Sequence, residues 1–406
     1  MHTDKPNFQH SYCFGFISIF PFFTRQKAFI LFGCFLLFHG YGVGQCPDKK
    51  VFIEKIAAIY NSSEINSGDK LNKLLELQQQ MKKCNLSNDS SFMFLLQKMG
   101  VLYFGQSDYT NAIEQTKKSV LIANECIAKN SSTALALIHN YANLFFYYDN
   151  TGNIKKKLEA VDSCVLYALK SGSGFDRILV PLSDKTTYLF NKGEYNLCTK
   201  NAKLGEDIIQ KYYHDKDSIT YIVFFIIKRA NSLYFSKDFS AAEQLLNDKI
   251  LQLKRTGNSN QLYAFYSLLG LISNDKKNFT EALALFKKAY QLSLNIKYKN
   301  GCAQNLAFAG TLYAQHFNAF DTGLKYCKMA LKYAEGAPDS LSILHQIGNI
   351  YALKGMYNKA QYFFQYAFDV VQKGMNESAL LQNSFQYPGF NLLQNLSDLI
   401  TSKGNA

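Results

Sequence analysis

The side chains of this sequence that could perform chemistry are few and lie far apart. Downstream of the N-terminal apolar segment the histidines are His139, His214, His316 and His345, and none has metal-ligand spacing from another histidine, a cysteine or a carboxylate. The sequence contains no GxSxG, no HExxH and no glycine-rich loop followed by Lys and Ser or Thr. We therefore predict no catalytic residue, no metal site and no cofactor, and we expect a protein that is not an enzyme.

The cysteines divide into one candidate pair and several small apolar positions. Those that follow Gly44 are Cys46, Cys84, Cys126, Cys164, Cys198, Cys302 and Cys327. In an exported protein Cys46 and Cys84 could form a disulfide, and the odd number leaves at least one free thiol. Cys198 and Cys327 fall at small-residue positions of predicted helices, where we expect a buried small hydrophobe.

Composition and charge narrow the class of protein. The 406 residues carry a net charge of +13, 48% apolar residues, 15% aromatic residues and 6 Pro, which excludes a disordered chain and favours helices over a β-sandwich or barrel. Basic residues are almost all Lys, with a longest run of Lys155 to Lys157. This indicates a solvated surface rather than a nucleic-acid groove. An acidic-polymer or lipid-surface binder would instead show lysines clustered on one face and a steep salt dependence.

The N-terminus has the pattern of a targeting signal. Arg25 and Lys27 precede an uncharged apolar run from Ala28 to Phe38, and the small residues Gly42 and Gly44 fit a cleavage site. Residues 1–44 are therefore predicted to be a signal peptide with an upstream extension, and the protein to be exported to the periplasm or the extracellular space. The alternative is a membrane anchor over residues 12–38, which the two charges disfavour.

Internal repetition is the main organising feature. The segment from Leu344 to Ala367 resembles a tetratricopeptide repeat (TPR), and two further segments share its pattern. The residues that carry the resemblance are Ile347, Gly348, Tyr351, Gly355, Tyr357, Ala360, Phe364 and Ala367 in the first segment, Leu269, Gly270, Phe279, Ala282, Phe286 and Ala289 in the second, and Met99, Gly100, Tyr103, Tyr109 and Ala112 in the third.

Each residue type has a mechanical role in a helical hairpin. A small residue on the first helix lets the second helix cross closely, an aromatic residue beside the turn fills the wedge between the helices, and a later alanine permits another close approach. Phe286 and Phe364 are expected to pack into the neighbouring repeat. The small residues are Gly100, Ala142, Ala230, Gly270, Gly310 and Gly348; the turn aromatics are Tyr109, Tyr195, Phe239, Phe279, Phe320 and Tyr357; the alanines are Ala112, Ala242, Ala282 and Ala360.

The resemblance covers residues 92–373, and its units recur about every 40 residues rather than every 34. It implies an all-α, right-handed superhelix of about seven TPR-like hairpins. Residues 45–91 are predicted to form N-terminal cap helices, over Val51 to Tyr60 and Asp69 to Cys84. Residues 374–406 are predicted to form a C-terminal cap or an incomplete repeat, with a helix over Leu392 to Gly404.

The resemblance also implies a function, because the first helices of such a superhelix line a concave wall that binds peptides or partner helices. We expect that wall at the residue after each small residue and one turn to either side. The candidates are Asn143 with His139, Asn231 with Phe224, Ile227 and Tyr234, and Asn349 with Ser342 and His345. The three asparagines could hold a peptide backbone, unless they only reflect the abundance of Asn.

Family members that bind chaperone tails add Lys and Arg around such an asparagine. Here the corresponding helices offer Ile227, Lys228 and His345, so the sequence does not predict a carboxylate clamp. The signal peptide followed by long repeats is similar to the N-terminal region of bacterial TPR sensor histidine kinases and caspase-like CHAT-domain proteins. Two hypotheses follow: a scaffold that binds a protein or peptide, or a sensor module whose effector domain is missing. Membrane attachment would come only from an uncleaved signal or a downstream domain.

Overall fold

The computed structural model describes residues 46–127, 133–213, 218–255 and 261–374. Within these ranges the chain forms sixteen α-helices and no β-strand. None of the described helices is both long and apolar enough to cross a membrane. The predicted signal peptide over residues 1–44 and the helix predicted from Leu392 to Gly404 lie outside the described residues.

The helices follow one another at short intervals and have similar lengths. They are α1 (Lys49–Asn61), α2 (Ser67–Lys83), α3 (Ser90–Gly105), α4 (Tyr109–Ile127), α5 (Ala134–Asn150), α6 (Ile154–Ser171), α7 (Leu179–Asn191), α8 (Tyr195–Tyr212), α9 (Ser218–Phe235), α10 (Phe239–Arg255), α11 (Tyr263–Asp275), α12 (Phe279–Asn295), α13 (Lys299–His316), α14 (Phe320–Leu331), α15 (Ala337–Leu353) and α16 (Tyr357–Gly374).

Seven hairpins account for α3 to α16, and the pair α1 and α2 precedes them. This confirms the predicted all-α repeat architecture. The first helices of successive hairpins contact one another along most of the stack, as α7 contacts α9, α9 contacts α11, α11 contacts α13 and α13 contacts α15. The first helices from α7 to α15 thus form one continuous wall.

The turn inside every hairpin has the same backbone form. The residue two places before each second helix has a positive φ, between 52° at Asn318 and 77° at Gly355. This left-handed conformation suits glycine, since other residues pay a steric cost for it. Glycine nevertheless fills only some of these positions, and the residues are Ser107, Gly152, Gly193, Lys237, Lys277, Asn318 and Gly355.

The helices of a hairpin approach most closely at the predicted small residues. A Cβ atom built on Gly270 would lie 2.6 Å from the ring of Phe286, and one built on Gly348 would lie 2.5 Å from the ring of Phe364. We expected both rings to pack into the neighbouring hairpin. Instead they lie over the glycine of their own hairpin, because only there is a side chain missing, although the ring centroid of Phe286 is also 5.1 Å from that of Phe308 in the next hairpin.

The later alanines of the second helices, Ala112, Ala242, Ala282 and Ala360, are buried. So is Ala230, the small residue of α9. The turn aromatics behave less uniformly, and the prediction that Tyr357 fills a wedge is wrong, because 72% of its surface is exposed. Phe279 stacks on His316 of the next hairpin, at 3.5 Å between ring centroids, whereas no hairpin follows α16 in the described part of the chain.

The N-terminal helix pair is tied by the predicted disulfide. Cys46 and Cys84 are bonded, with 5.6 Å between their Cα atoms, and the cross-link closes the segment that contains α1 and α2. Cys198 and Cys327 are free and fully buried on second helices, which confirms the expectation that they act as small hydrophobes.

The contact at Gly270 generates a prediction about stability. Gly270→Ala is expected to lower the free energy of unfolding by about 1–3 kcal/mol, because the added methyl group meets the buried ring of Phe286. Gly105→Ala is the matched control, since nothing lies within 4 Å of a Cβ there, and it should raise stability by up to about 1 kcal/mol. Urea unfolding followed by circular dichroism measures both, and equal effects of the two substitutions would contradict the packing argument.

Candidate functional site

A continuous groove runs along the inner faces of five first helices. It consists of two adjoining cavities, of about 360 and 510 Å³. Residues from α7, α9, α11 and α13 line the first cavity, and residues from α9, α11, α13 and α15 line the second. The two cavities share Phe235, Leu271 and Gln304, so they form one surface.

The groove follows the expected pattern of positions. In each of the last five hairpins, the residue directly after the small position on the first helix, which the buried Thr186 occupies on α7, lines one of the two cavities. These residues are Thr187, Asn231, Leu271, Thr311 and Asn349. The residue after the small residue is rotated by about 100° around the helix axis, which turns it away from the second helix to the open side.

Four of the five candidate residues named from the sequence lie in this groove. Asn231 lines the first cavity, and Tyr234, His345 and Asn349 line the second. Asn143 lies on α5, half-buried, and lines neither cavity. The structure thus brings the later candidates together and leaves Asn143 apart from them.

The polar side chains of the groove differ in whether they already form hydrogen bonds within the chain. The Asn349 amide nitrogen lies 3.3 Å from Nδ1 of His345, and the Tyr234 hydroxyl donates to Oδ2 of Asp275 at 2.9 Å. The side chains of Asn231 and Gln304 form no hydrogen bond with the described residues. Each retains a donor and an acceptor, which is the pairing that a peptide group requires.

Lys228 carries an unpaired charge in the wall of the first cavity. Its ammonium nitrogen lies 4.8 Å from the ring centroid of Phe190 and 5.7 Å from that of Phe224. No carboxylate of the described residues lies within 4 Å of this nitrogen, and burial lowers the pKa of the ammonium group. A cation withdrawn from water without a counter-charge is costly, and such groups concentrate at functional sites.

The next residue on α9, Arg229, differs from Lys228 because it has an ion-pair partner. Arg229 points away from the groove to the fully buried Glu206 on α8, with Nη1 at 3.3 Å from the carboxylate, and Lys249 on α10 approaches the same carboxylate at 3.4 Å. This triad fixes α9 between its neighbours. Lys228 and Asn231, which lie one turn apart on α9, are thereby held towards the groove.

Sequence reasoning did not identify the groove residues Gln304 and Tyr263. Both lie about two turns before the small residue of their helix, at the same level as Phe224, which the sequence predicted to lie on the wall but which lines neither cavity. Extending the pattern by one further turn would have found them. Burial raises the pKa of the Tyr263 hydroxyl to about 12, so this group is a neutral hydrogen-bonding partner.

The thiols and histidines of the described residues do not form a reactive pair in this groove. Burial raises the pKa of Cys164 and of Cys327 to about 12, which keeps both thiols protonated. No cluster of three or more His, Cys, Asp or Glu among the described residues could hold a metal ion. What the groove offers is hydrogen bonding, apolar surface and charge of both signs, from Lys228 and Lys237 and from Asp275 and Asp339.

Burial of His345 generates a prediction about pH. Burial lowers the pKa of His345 to about 4 from its usual 6.5, so the unfolded chain binds the proton first as pH falls. Stability should therefore decrease between pH 6.5 and 4, by on the order of 2–3 kcal/mol from this residue. His345→Gln removes the titration. Urea unfolding at pH 7 and pH 4.5 should show a smaller loss for the variant than for the wild type, and parallel losses would contradict the assignment.

Comparisons with known proteins bear on the fold. No family model and no curated protein matches the sequence. Among solved structures, a signal-transduction ATPase of the STAND class with a tetratricopeptide-repeat sensor, from Pyrococcus horikoshii, is 14% identical, with a TM-score of 0.51 over 83% of this chain and 50% of that chain. This chain thus spans half the length of that protein.

Two further solved structures resemble the chain less closely in shape. The apo form of the quorum sensor NprR from B. thuringiensis is 12% identical, with a TM-score of 0.45 over 80% of this chain and 87% of that one. The C-terminal part of a TPR repeat-containing protein from Cytophaga hutchinsonii is 13% identical, with a TM-score of 0.45 over 78% and 99%. The repeated hairpins and the likeness to the Pyrococcus protein together establish that this chain has the tetratricopeptide-repeat fold.

Proposed function

We propose that this protein is a non-enzymatic interaction scaffold that binds an extended segment of a partner protein in the groove of its first helices. The observation that carries the proposal is a set of polar groups on α9 and α13 that lack partners and line the same groove. Asn231, Gln304 and Lys228 all face one continuous groove, and none of them has a full set of partners in the described chain.

The spacing of the groove suits an extended backbone. Packed helices lie about 8–10 Å apart, and an extended chain advances about 3.3 Å per residue. A segment that crosses the first helices would therefore meet a new helix about every third residue. Asn231 on α9 and Gln304 on α13 could each hold one peptide group, while Leu271 on α11, between them, would contact a side chain.

The charge of Lys228 in the first cavity favours an acidic residue in the part of the segment bound there. A carboxylate placed at Lys228 would supply the missing counter-charge, in a site where the surrounding rings reduce screening by water. The net charge of +13 would also attract an acidic partner over longer distances at low salt.

Export is part of the proposal. The disulfide between Cys46 and Cys84 supports it, because such bonds persist in oxidising compartments outside the cytoplasm.

A second candidate function uses the same groove as the sensor part of a larger signalling or effector protein. The observation that favours it is the match to a protein described as carrying a TPR sensor, half of whose length this chain covers.

The proposal predicts a defined selection result. When a random twelve-residue peptide library is selected against the full chain, the enriched peptides should share one Asp or Glu at a fixed position. Asn231→Ala combined with Asn349→Ala should weaken the selected peptides about tenfold, because each lost hydrogen bond contributes about 0.5–1.5 kcal/mol. The matched control is Asn201→Ala, which removes a half-buried amide from α8, outside the groove. Equal weakening by the control, or no enrichment at all, would argue against a groove that binds peptides.

A separate prediction concerns Lys228, whose replacement should change stability and peptide binding in opposite directions. Lys228→Met should raise the free energy of unfolding by about 1 kcal/mol, because it removes a half-buried charge without a counter-charge. The same variant should no longer enrich the acidic residue in the peptide selection. Lys192→Met is the control, since Lys192 lies over Tyr188 at 5.8 Å but is exposed and outside the groove. Retention of the acidic preference by Lys228→Met would remove Lys228 from the account.

A further inference from the structure

A second concave surface lies between the second helices of the last two hairpins. This lysine cleft has a volume of about 760 Å³ and shares no residue with the groove. It lies between α14, the end of α15 and the start of α16. Its residues are Asp321, Leu324, Lys325, Lys328, Met329, Lys332, Tyr351, Lys354, Met356 and Lys359.

The lysines of the cleft are arranged in register. Three of them follow one another at intervals of three and four residues: Lys325 and Lys328 on α14, and Lys332 directly after it. This spacing places them on one helix face about 10 Å long. Lys354 and Lys359 approach from the opposite side. The sequence shows no basic run here, so the cluster arises only when the helices pack.

The cleft holds far more positive than negative charge. Asp321 is its one acidic lining residue, and it pairs with Lys354 at 2.5 Å. Lys325, Lys328, Lys332 and Lys359 form no ion pair with any described residue. Other lysines on second helices do have carboxylate partners, as Lys118 has Glu114 and Lys203 has Asp207.

The floor of the cleft is apolar, unlike a simple charged surface. Leu324 and Tyr351 are buried beneath it, and Met329 and Met356 are half-buried. Methionine side chains are flexible and adapt to varied apolar partners. An apolar floor with a charged rim is the arrangement of a protein–protein interface. The concave shape also keeps a flat membrane surface away from that floor.

We propose that the lysine cleft binds an acidic, amphipathic segment of a partner protein. Carboxylates of this segment pair with Lys325, Lys328 and Lys332, and its apolar side chains cover Met329 and Met356. The inference does not depend on the function proposed for the groove. The protein would then have two binding surfaces, one on the first helices of the hairpins and one mainly on the second helices. One partner could be held at one surface while a second partner is recognised at the other.

The test uses a fluorescein-labelled sixteen-residue peptide with Glu at intervals of three and four on one helical face and Leu on the adjoining face. Its binding to the full chain is measured by fluorescence anisotropy at 50 and 200 mM NaCl. The combined substitutions Lys325→Gln, Lys328→Gln and Lys332→Gln should weaken binding at least tenfold at the lower salt. A peptide with Gln in place of Glu should bind the wild type at least tenfold more weakly.

The matched control removes the same charge from another part of the surface. Lys192→Gln, Lys200→Gln and Lys211→Gln together replace three exposed lysines outside the cleft and should change binding less than twofold. An equal loss in this control would show attraction by net charge alone and would overturn the proposal. So would an absence of peptide binding, an unchanged affinity in the cleft variant, or binding of inorganic tripolyphosphate alone, which would assign the cleft to a phosphate ligand.

Discussion

The close approach of two helices at one residue without a side chain is the contact on which the repeat structure depends. At Gly270 and Gly348 the ring of a phenylalanine on the second helix occupies the volume where a Cβ atom would otherwise be. This contact fixes how far apart and at which rotation the helices of a hairpin lie. Because one face of the first helix is committed to this contact, an adjoining face stays open, and successive open faces form the groove.

The same contact explains how much of the fold could be predicted from sequence. Glycine at 100, 270, 310 and 348 and alanine at 142 and 230 marked the hairpins, since few other residue types fit such contacts. The left-handed turn residue two places before each second helix could not be predicted in the same way. Only three of these positions are glycine, and the other four are Ser107, Lys237, Lys277 and Asn318. No single residue type therefore marks the position in the sequence. Tyr357 was misjudged because its pattern matches earlier units whose aromatic residue packs against a following hairpin.

The positions that line the candidate site could be predicted from the sequence, but the pairing of its charges could not. The rule that the residue after each small residue faces the groove depends only on helical geometry, and it holds from Thr187 to Asn349. Whether a charge finds a partner depends on what other helices bring near it. Arg229 meets the buried Glu206 while its neighbour Lys228 meets only aromatic rings, and four lysines around α14 meet no carboxylate. Ion pairs such as that of Arg229 with Glu206 thus tie neighbouring helices together, whereas Lys228 and the four lysines around α14 have no carboxylate partner among the described residues.

Photo-cross-linking tests the central claim most directly. A peptide enriched by selection against the full chain, carrying a photoreactive group at its centre, is cross-linked to the protein and the modified residues are located by mass spectrometry. The account predicts cross-links to the groove, at residues such as Tyr263, Leu271 and Gln304. Cross-links confined to the second helices α8, α10 and α12 would show that the wall of first helices is not the binding surface and would contradict the account.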